Sequence, residues 1–511
     1  LVLLGLEAIV GAWLRFSAPS LLWLDEALTV NIAKVPLSQL HAALKEDGAP
    51  PLYYLLLHFW MLAFGTSDAA VRSLSGVLSC ATVIVVFTVV RRVWGNEVAL
   101  FAAALLIGSS FATYYATETR MYALVMLLCA LGAWALVALF ERPSISRMVP
   151  LALVLVALEY THYWSFYLFI TLGVWLLALA ARAKATGTRR AGRLGIGALV
   201  VAGICFLPWW PTFSFQQKHT GTPWGRPPNF ETAIVAVFHY NSDQAVQVAW
   251  SSLIQRGVEV LMIVLIFLAL FVVAIGPWRI SLRVLTMPRA RLVAWLALGT
   301  LVLGVVASHF SNAAFVPRYA SVAYLPLIVL LALGTRGIWQ PALRVLVILA
   351  VVAGTLVVGF QQRNTQRSQA GQIVASLTAR ATAGSVVLFC PDQLGPSVMR
   401  ILPDEGLKAY GYPRFDDPNF VNWVDYDKAL EAISSREGLQ KVLSLADGHS
   451  IWLVSSSGYA QAGDICAALK ATMDAALPHH QWVAGEPTHY FQSMVLTQYT
   501  PGRSTPSAAG G

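Results

Sequence analysis

The chain has 511 residues, of which 57% are apolar and only 12% charged, with a mean hydropathy of +0.63. A soluble protein carries roughly 25% charged residues, so the composition is that of a polytopic membrane protein. The net charge of +9 lies mostly in short loops between apolar segments, which is how topology is written, and it leaves no basic face for nucleic acid.

In chain order, apolar runs long enough to span lie near residues 1–17, 70–90, 97–116, 121–140, 194–212, 254–276, 291–309, 316–335 and 341–360. The run opens at Leu1 without Met and without an evident cleaved signal peptide, so further sequence is expected ahead of it. The 34-residue run 148–181 is interrupted by EYTHYW (Glu159 to Trp164) and reads as two shorter spans joined by a polar turn.

Residues 50–65, PPLYYLLLHFWMLAFG, are apolar but short, and they contain His58. Lys and Arg favour cytoplasmic loops, and that rule assigns this segment. With 50–65 as a helix along the interface, loops 91–96, 141–147, 182–193, 277–291 and 336–344 face the cytoplasm and hold 15 Lys or Arg. Loops 18–69, 117–120, 213–253 and 310–315 then face outward and hold five, namely Lys34, Lys45, Arg120, Lys218 and Arg226. A spanning 50–65 scrambles this separation. Eleven spans with the N-terminus inside follow.

After residue 360 the composition changes. GSVVLFC (384–390), HSIWLVSS (449–456) and SMVLTQY (493–499) read as strands, and DICAALKATMDAAL (464–477) as an amphipathic helix. These make a small α/β domain over 361–500, which an odd span count puts outside. The Pro/Gly/Ser-rich tail 501–511 reads as disordered. Cys80, Cys129 and Cys205 lie in apolar segments as packing residues, whereas Cys390 and Cys466 are able to pair if their domain is extracytoplasmic. No CxxC motif, zinc spacing or internal repeat is present.

This topology sorts the acids near the membrane onto one face. Asp25 and Glu26 are in the first outer loop, Glu118 and Arg120 in the second, and Glu159 and His162 in the turn of the interrupted run. His309 and Arg318 mark the outer ends of the ninth and tenth spans. Ionisable groups at such positions are functional candidates. Each has a plainer reading: Asp25 as a helix N-cap with Glu26 in the first turn, Glu118 paired with Arg120 or Arg72, His162 as an interfacial residue, Arg318 as a snorkelling anchor. Co-location lifts the set, which no single member does.

A lipid-linked phosphosugar fits these groups. A carboxylate takes the proton from an acceptor hydroxyl as it attacks the anomeric carbon. The leaving lipid phosphate needs Arg or Lys to neutralise its charge. The acids are equally able to hold a divalent cation, Mg2+ or Mn2+, with Asp25 and Glu118 as ligands; the sequence does not choose.

Several stretches resemble the GT-C superfamily of integral-membrane glycosyltransferases, in particular the family 39-like group of protein O-mannosyltransferases and lipid A aminoarabinose transferases. They are RFSAPSLLWLDEA (15–27), GAPPLYYLLLHFWMLAFGTSDAAVRSLS (48–75), YYATETRMYAL (114–124), THYWSFYL (161–168) and PRYASVAYLP (317–326), in the family's order over residues 1–360. The resemblance implies a GT-C membrane domain over 1–360, with interfacial helices in the first outer loop 18–69, and a bacterial plasma-membrane protein whose site and C-terminal domain face outward. It implies an inverting transfer of one sugar from a polyprenyl-phosphate donor to an extracytoplasmic acceptor, with mannose ahead of arabinose or aminoarabinose. By the same resemblance Asp25 is the base with Glu26 beside it, and Glu118 is the second acid. Arg120 and Arg318 are assigned to the donor phosphate, and His162, Glu159, Tyr319 and Tyr54 to substrate. Many relatives carry His or Lys before the Pro-Pro pair, where this chain has Ala49.

Two other readings compete. A transporter or lipid flippase places ionisable groups near the midplane and often shows inverted repeats; Glu7 within the first span favours it, unless Glu7 pairs with Arg15 or lies near a helix end. An assembly protein presenting the outer domain leaves the membrane acids unexplained.

Overall fold

The computed structural model describes residues 2–220, 249–276, 279–282, 288–310 and 317–501. Most of the outer loops 213–253 and 310–315, and the tail expected to be disordered, lie outside the described residues. Among the described residues eight helices are long and apolar enough to cross a membrane: Asp68–Trp94, Tyr122–Glu141, Ser165–Arg182, Thr186–His219, Leu253–Phe271, Ala290–Phe310, Pro317–Gly337 and Pro341–Asn364. The bent pair Asn96–Gly108 and Ser110–Ala116, 57° apart, makes a ninth if counted as one span. Eleven were expected. The two that fall short are α1 (Val2–Phe16) and the helix Ile145–Glu159, each of 15 residues. Such a helix is about 22 Å long, against a hydrocarbon core of about 30 Å.

The described residues form two compact units. The first comprises Leu1–Ala18, Ala49–Ser214 and Pro227–Asn364, and the second Pro19–Gly48, Phe215–Arg226 and Thr365–Gly511. The first outer loop is therefore divided, residues 19–48 joining the C-terminal segment in the second unit. Those residues include α2 (Leu24–Lys34) and α3 (Leu37–Asp47).

In the first unit a helix break aims the loop 117–121. Ser109 Oγ accepts the Ala112 N–H at 3.0 Å and so caps the short helix Ser110–Ala116. The last carbonyls of Asn96–Gly108 are met by a buried cation. Arg15, in α1, donates to Ile107 O at 2.9 Å and to Leu106 O at 2.8 Å, and its Nε donates to Ser79 Oγ at 3.0 Å. A guanidinium is favourable at a helix C-terminus. These bonds go to backbone and Ser79, not to Glu7, the partner considered from sequence.

The short apolar run forms α4 (Leu52–Phe64), whose 13 residues are about 20 Å long and too short to span. Its Leu52 N–H donates to Tyr160 O at 2.8 Å, tying it to the turn of the interrupted run. That turn separates Ile145–Glu159 from Ser165–Arg182, as expected. The run read as a span to 276 ends its helix at Phe271. Residues Val272–Gly276 form β1 instead, antiparallel to β2 (Arg279–Leu282). Two consecutive β-branched valines favour the change.

In the second unit β3 (Gln366–Ser368), β4 (Val386–Cys390), β5 (Lys408–Gly411), β6 (Ile451–Ser455), β7 (His479–Val483), β8 (Tyr490–Gln492) and β9 (Val495–Tyr499) follow in chain order. Five of them make a sheet in the order β5-β4-β6-β9-β7, with β4 parallel to both β5 and β6 and β9 antiparallel to β6 and β7. Separately, β3 pairs in parallel with β8. Alternate side chains serve opposite faces. Val387, Phe389, Trp452 and Val454 pack with Ile373 and Leu377 of the helix Ala370–Arg380. Val386, Leu388, Ile451 and Leu453 pack with Leu469 and Met473 of the helix Ala460–Ala476. Strands covered on both faces read as unbroken apolar runs, which is why VVLFC and IWLVS were conspicuous in the sequence. Cys390 and Cys466 form a disulfide with Cα atoms 5.5 Å apart.

Asp392, just past β4, is completely buried and accepts a hydrogen bond from the Tyr426 hydroxyl. Burial pushes its carboxyl from the ordinary 3.8 up to about 7, with Asp416 adding and the Tyr426 bond opposing. The folded chain then holds a proton that the unfolded chain has released, so stability falls as pH rises from about 4 through about 7. Asp392→Asn is expected to flatten that decline. Melting temperatures from pH 4 to 8 should coincide at the acid end and favour the variant above neutrality; parallel curves would remove Asp392 from the pH dependence.

Candidate functional site

Within the first unit, the break after Gly108 delivers Thr117 to Met121 as a tight turn between two helices. Thr117 Oγ1 donates to Tyr114 O at 2.8 Å, and the Arg120 N–H donates to Glu118 O at 2.8 Å. Glu118 is 1% exposed. Such burial of a carboxylate requires compensating polar contacts.

The turn after Ile145–Glu159 supplies His162, which is also buried. Its ring lies between two tyrosines, with centroids 5.8 Å from Tyr122 and 5.7 Å from Tyr319. The Trp164 N–H donates to His162 Nδ1 at 3.3 Å, which leaves the imidazole proton on Nε2. Burial, and then the guanidiniums of Arg120 and Arg318, push His162 down to about 3. His162 is therefore neutral at physiological pH, a hydrogen-bond donor and not a third cation. Arg318 itself is buried, its guanidinium carbon 5.6 Å from the Tyr319 ring centre. Three loops distant in sequence thus bring Arg120, His162, Arg318 and Tyr319 together.

Glu159 ends its helix and is 2% exposed, and its Oε2 has no hydrogen-bond partner. Tyr54, on α4, is fully buried with its ring edge-on to Tyr53, centroids 6.4 Å apart. Tyr122 was not singled out from sequence, although it stands two residues after Arg120 in the same motif.

In the second unit, α2 begins at Leu24 with Trp23 at the N-cap position and no side-chain cap bond. Asp25 is therefore not the cap that the sequence allowed; both acids lie in the first helical turn. From Leu22 to Val30 every residue is buried except Asp25, which is half-buried. Thr29 Oγ1 donates to the Asp25 carbonyl at 2.6 Å. Glu26 is 0% exposed, and its Oε1 lies 3.3 Å from Arg367 Nη1 on β3. Tyr459, just beyond β6, is held above its ordinary range by burial first and then by the charges of Asp25 and Asp392. Neither Arg367 nor Tyr459 was found by sequence reasoning.

Among the described residues no three His, Cys, Asp or Glu side chains come together in a way that could hold a metal ion. The first unit also contains an apolar cavity of about 480 Å³ lined by Val90, Leu136, Phe140, Leu155, Trp175 and Leu325, among others.

Residues 48–211 match the family model described as dolichyl-phosphate-mannose-protein mannosyltransferase. No curated protein sequence matches the chain. Among solved structures, ArnT from Cupriavidus metallidurans in the apo state is similar at a TM-score of 0.57 and 13% identity, covering 97% of each chain. The same protein bound to undecaprenyl phosphate gives 0.57 at 14% identity, again with 97% of each chain covered. Arabinofuranosyltransferase AftD from Mycobacteria gives 0.50 at 16% identity, over 98% of this chain and 40% of that one. The chain carries the fold of the GT-C integral-membrane glycosyltransferases, which the sequence motifs implied.

Proposed function

We propose that this protein is an inverting glycosyltransferase that moves one sugar from a polyprenyl-phosphate donor to an envelope acceptor, a glycan, lipid or protein, outside the plasma membrane of a bacterium. The observation that carries this reading is the approach of two guanidiniums, Arg120 and Arg318, to a buried, neutral His162 in the helical unit. Two guanidiniums side by side suit a dianionic or monoanionic phosphate, and a lipid phosphate entering from the bilayer is of that kind. The ArnT structure bound to undecaprenyl phosphate supports the donor class, and the apolar cavity offers room for an isoprenoid chain. The disulfide supports an oxidising compartment for the second unit.

In this reading Asp25 accepts the proton of the acceptor hydroxyl as its oxygen bonds to the anomeric carbon. The bond from that carbon to the phosphate oxygen breaks, and its electron pair leaves with the polyprenyl phosphate. Arg120 and Arg318 hold that charge, Arg318 with a planar fork suited to phosphate. The His162 Nε2–H donates to substrate, and Glu118, Glu159, Tyr319 and Tyr54 orient donor and acceptor.

Purified protein incubated with radiolabelled polyprenyl-phosphate sugars and envelope acceptors tests the reading. Transfer of one sugar with inversion is expected, with mannose the first sugar to try and arabinose or aminoarabinose the next. Movement of the lipid across the bilayer with no covalent transfer would favour the transporter reading.

A further inference from the structure

We infer that the buried Glu26–Arg367 ion pair is a positioning device that fixes the helical turn carrying Asp25. This inference depends on the reading of Asp25 as the base. Glu26 directly follows Asp25 on α2, yet the two differ in exposure, one sealed and the other half-buried. The sealed carboxylate faces Arg367 at 3.3 Å, and Arg367 is itself 5% exposed. A buried ion pair fixes geometry more than it adds stability, because each partner anchors the other in one arrangement.

Arg367 is in turn held by its strand. β3 pairs in parallel with β8, Ser368 opposite Gln492, and Ser368 Oγ donates to Gln492 Oε1 at 3.1 Å. Gln492 Nε2 donates to Gln393 O at 3.2 Å and to the Tyr459 hydroxyl at 3.3 Å. Tyr459 is near enough to Asp25 to be influenced by its charge, after burial and the Gln492 hydrogen bond. A chain of polar contacts therefore reaches from the strand that anchors Glu26 to Tyr459. On the other flank Trp23 stacks edge-on against Phe491 of β8, with centroids 4.9 Å apart. The first turn of α2 is clamped by the β3–β8 pair on two sides, and only Asp25 is left partly open. The C-terminal segment thus acts as the scaffold of a residue more than 300 positions earlier.

Glu26 and Arg367 are positioning residues in this account, so their loss should appear in turnover and not in donor affinity. Glu26→Gln, Arg367→Gln, the double variant and Arg367→Lys are compared with Asp25→Asn, using whichever polyprenyl-phosphate sugar the panel finds active. Each single Gln variant should lower kcat roughly tenfold or more, since small misplacements at a reacting centre are costly in rate, while donor KM stays within about twofold. The double variant should be no slower than the slower single one, the non-additivity expected of one coupled pair. Arg367→Lys, which keeps the charge, should recover part of kcat, and it carries the test if a Gln variant does not fold. Native kcat in the Gln variants with an inactive Asp25→Asn would overturn the positioning role alone. Losses that multiply in the double variant, or that appear in KM, would also overturn it. Full activity in Asp25→Asn would remove the base reading and this inference with it.

Discussion

Asp25→Asn is expected to lower sugar transfer by roughly 10²–10⁴-fold, the range for loss of a positioned general base, without impairing expression or folding. Asn keeps the volume and the carbonyl oxygen of the side chain but cannot accept the acceptor's proton. The structural cost is small because Asp25 neither caps α2 nor lies in the core; it is the half-buried exception in an otherwise buried stretch. Loss of its charge from the first turn removes about 0.3–1 kcal/mol of helix-dipole stabilisation. Initial rates with a labelled donor, beside a melting curve, separate chemistry from folding. Unchanged rates in a folded variant would move the proton transfer elsewhere.

The second large effect is expected at Arg318. Arg318→Ala should raise the apparent KM for the donor by about tenfold or more, because a charge-assisted bond to phosphate is lost from a buried position. Arg318→Lys should recover only part of the affinity, since an ammonium cannot reproduce the planar fork. His162 gives this prediction a further consequence. Its neutrality depends on burial first and then on the two guanidiniums, so removal of Arg318 should bring its titration upward, visible by NMR of a labelled imidazole. An unaltered donor KM would release Arg318 from the phosphate role.

The apolar helices were legible in the sequence because apolar length is a local property. The interrupted run, the short helix α4 and the strands 386–390, 451–455 and 495–499 could each be read from a few neighbouring residues. Local reading was weakest where the helix ends early. The helix before Val272 stops at Phe271 and the chain continues as a strand, where one unbroken span to 276 was expected. Sorting the ionisable residues by the side expected for their loops put Arg120, His162 and Arg318 into one set before any geometry was known, and the family resemblance added Tyr319.

The sequence by itself determined the class of protein, the positions of its apolar segments and the residue types offered for chemistry, because each follows from composition over short windows. Tertiary structure decided what those residues do with one another. Nothing local distinguishes Asp25 from Glu26, two adjacent acids in one helical turn; Arg367, brought near by β3, buries one of them, and the other stays partly open. Nor does a single motif reveal that His162 is neutral, since that follows from burial beside cations that two distant loops supply. Charge state and orientation depend on surroundings in space, and those surroundings form only when segments hundreds of residues apart pack together.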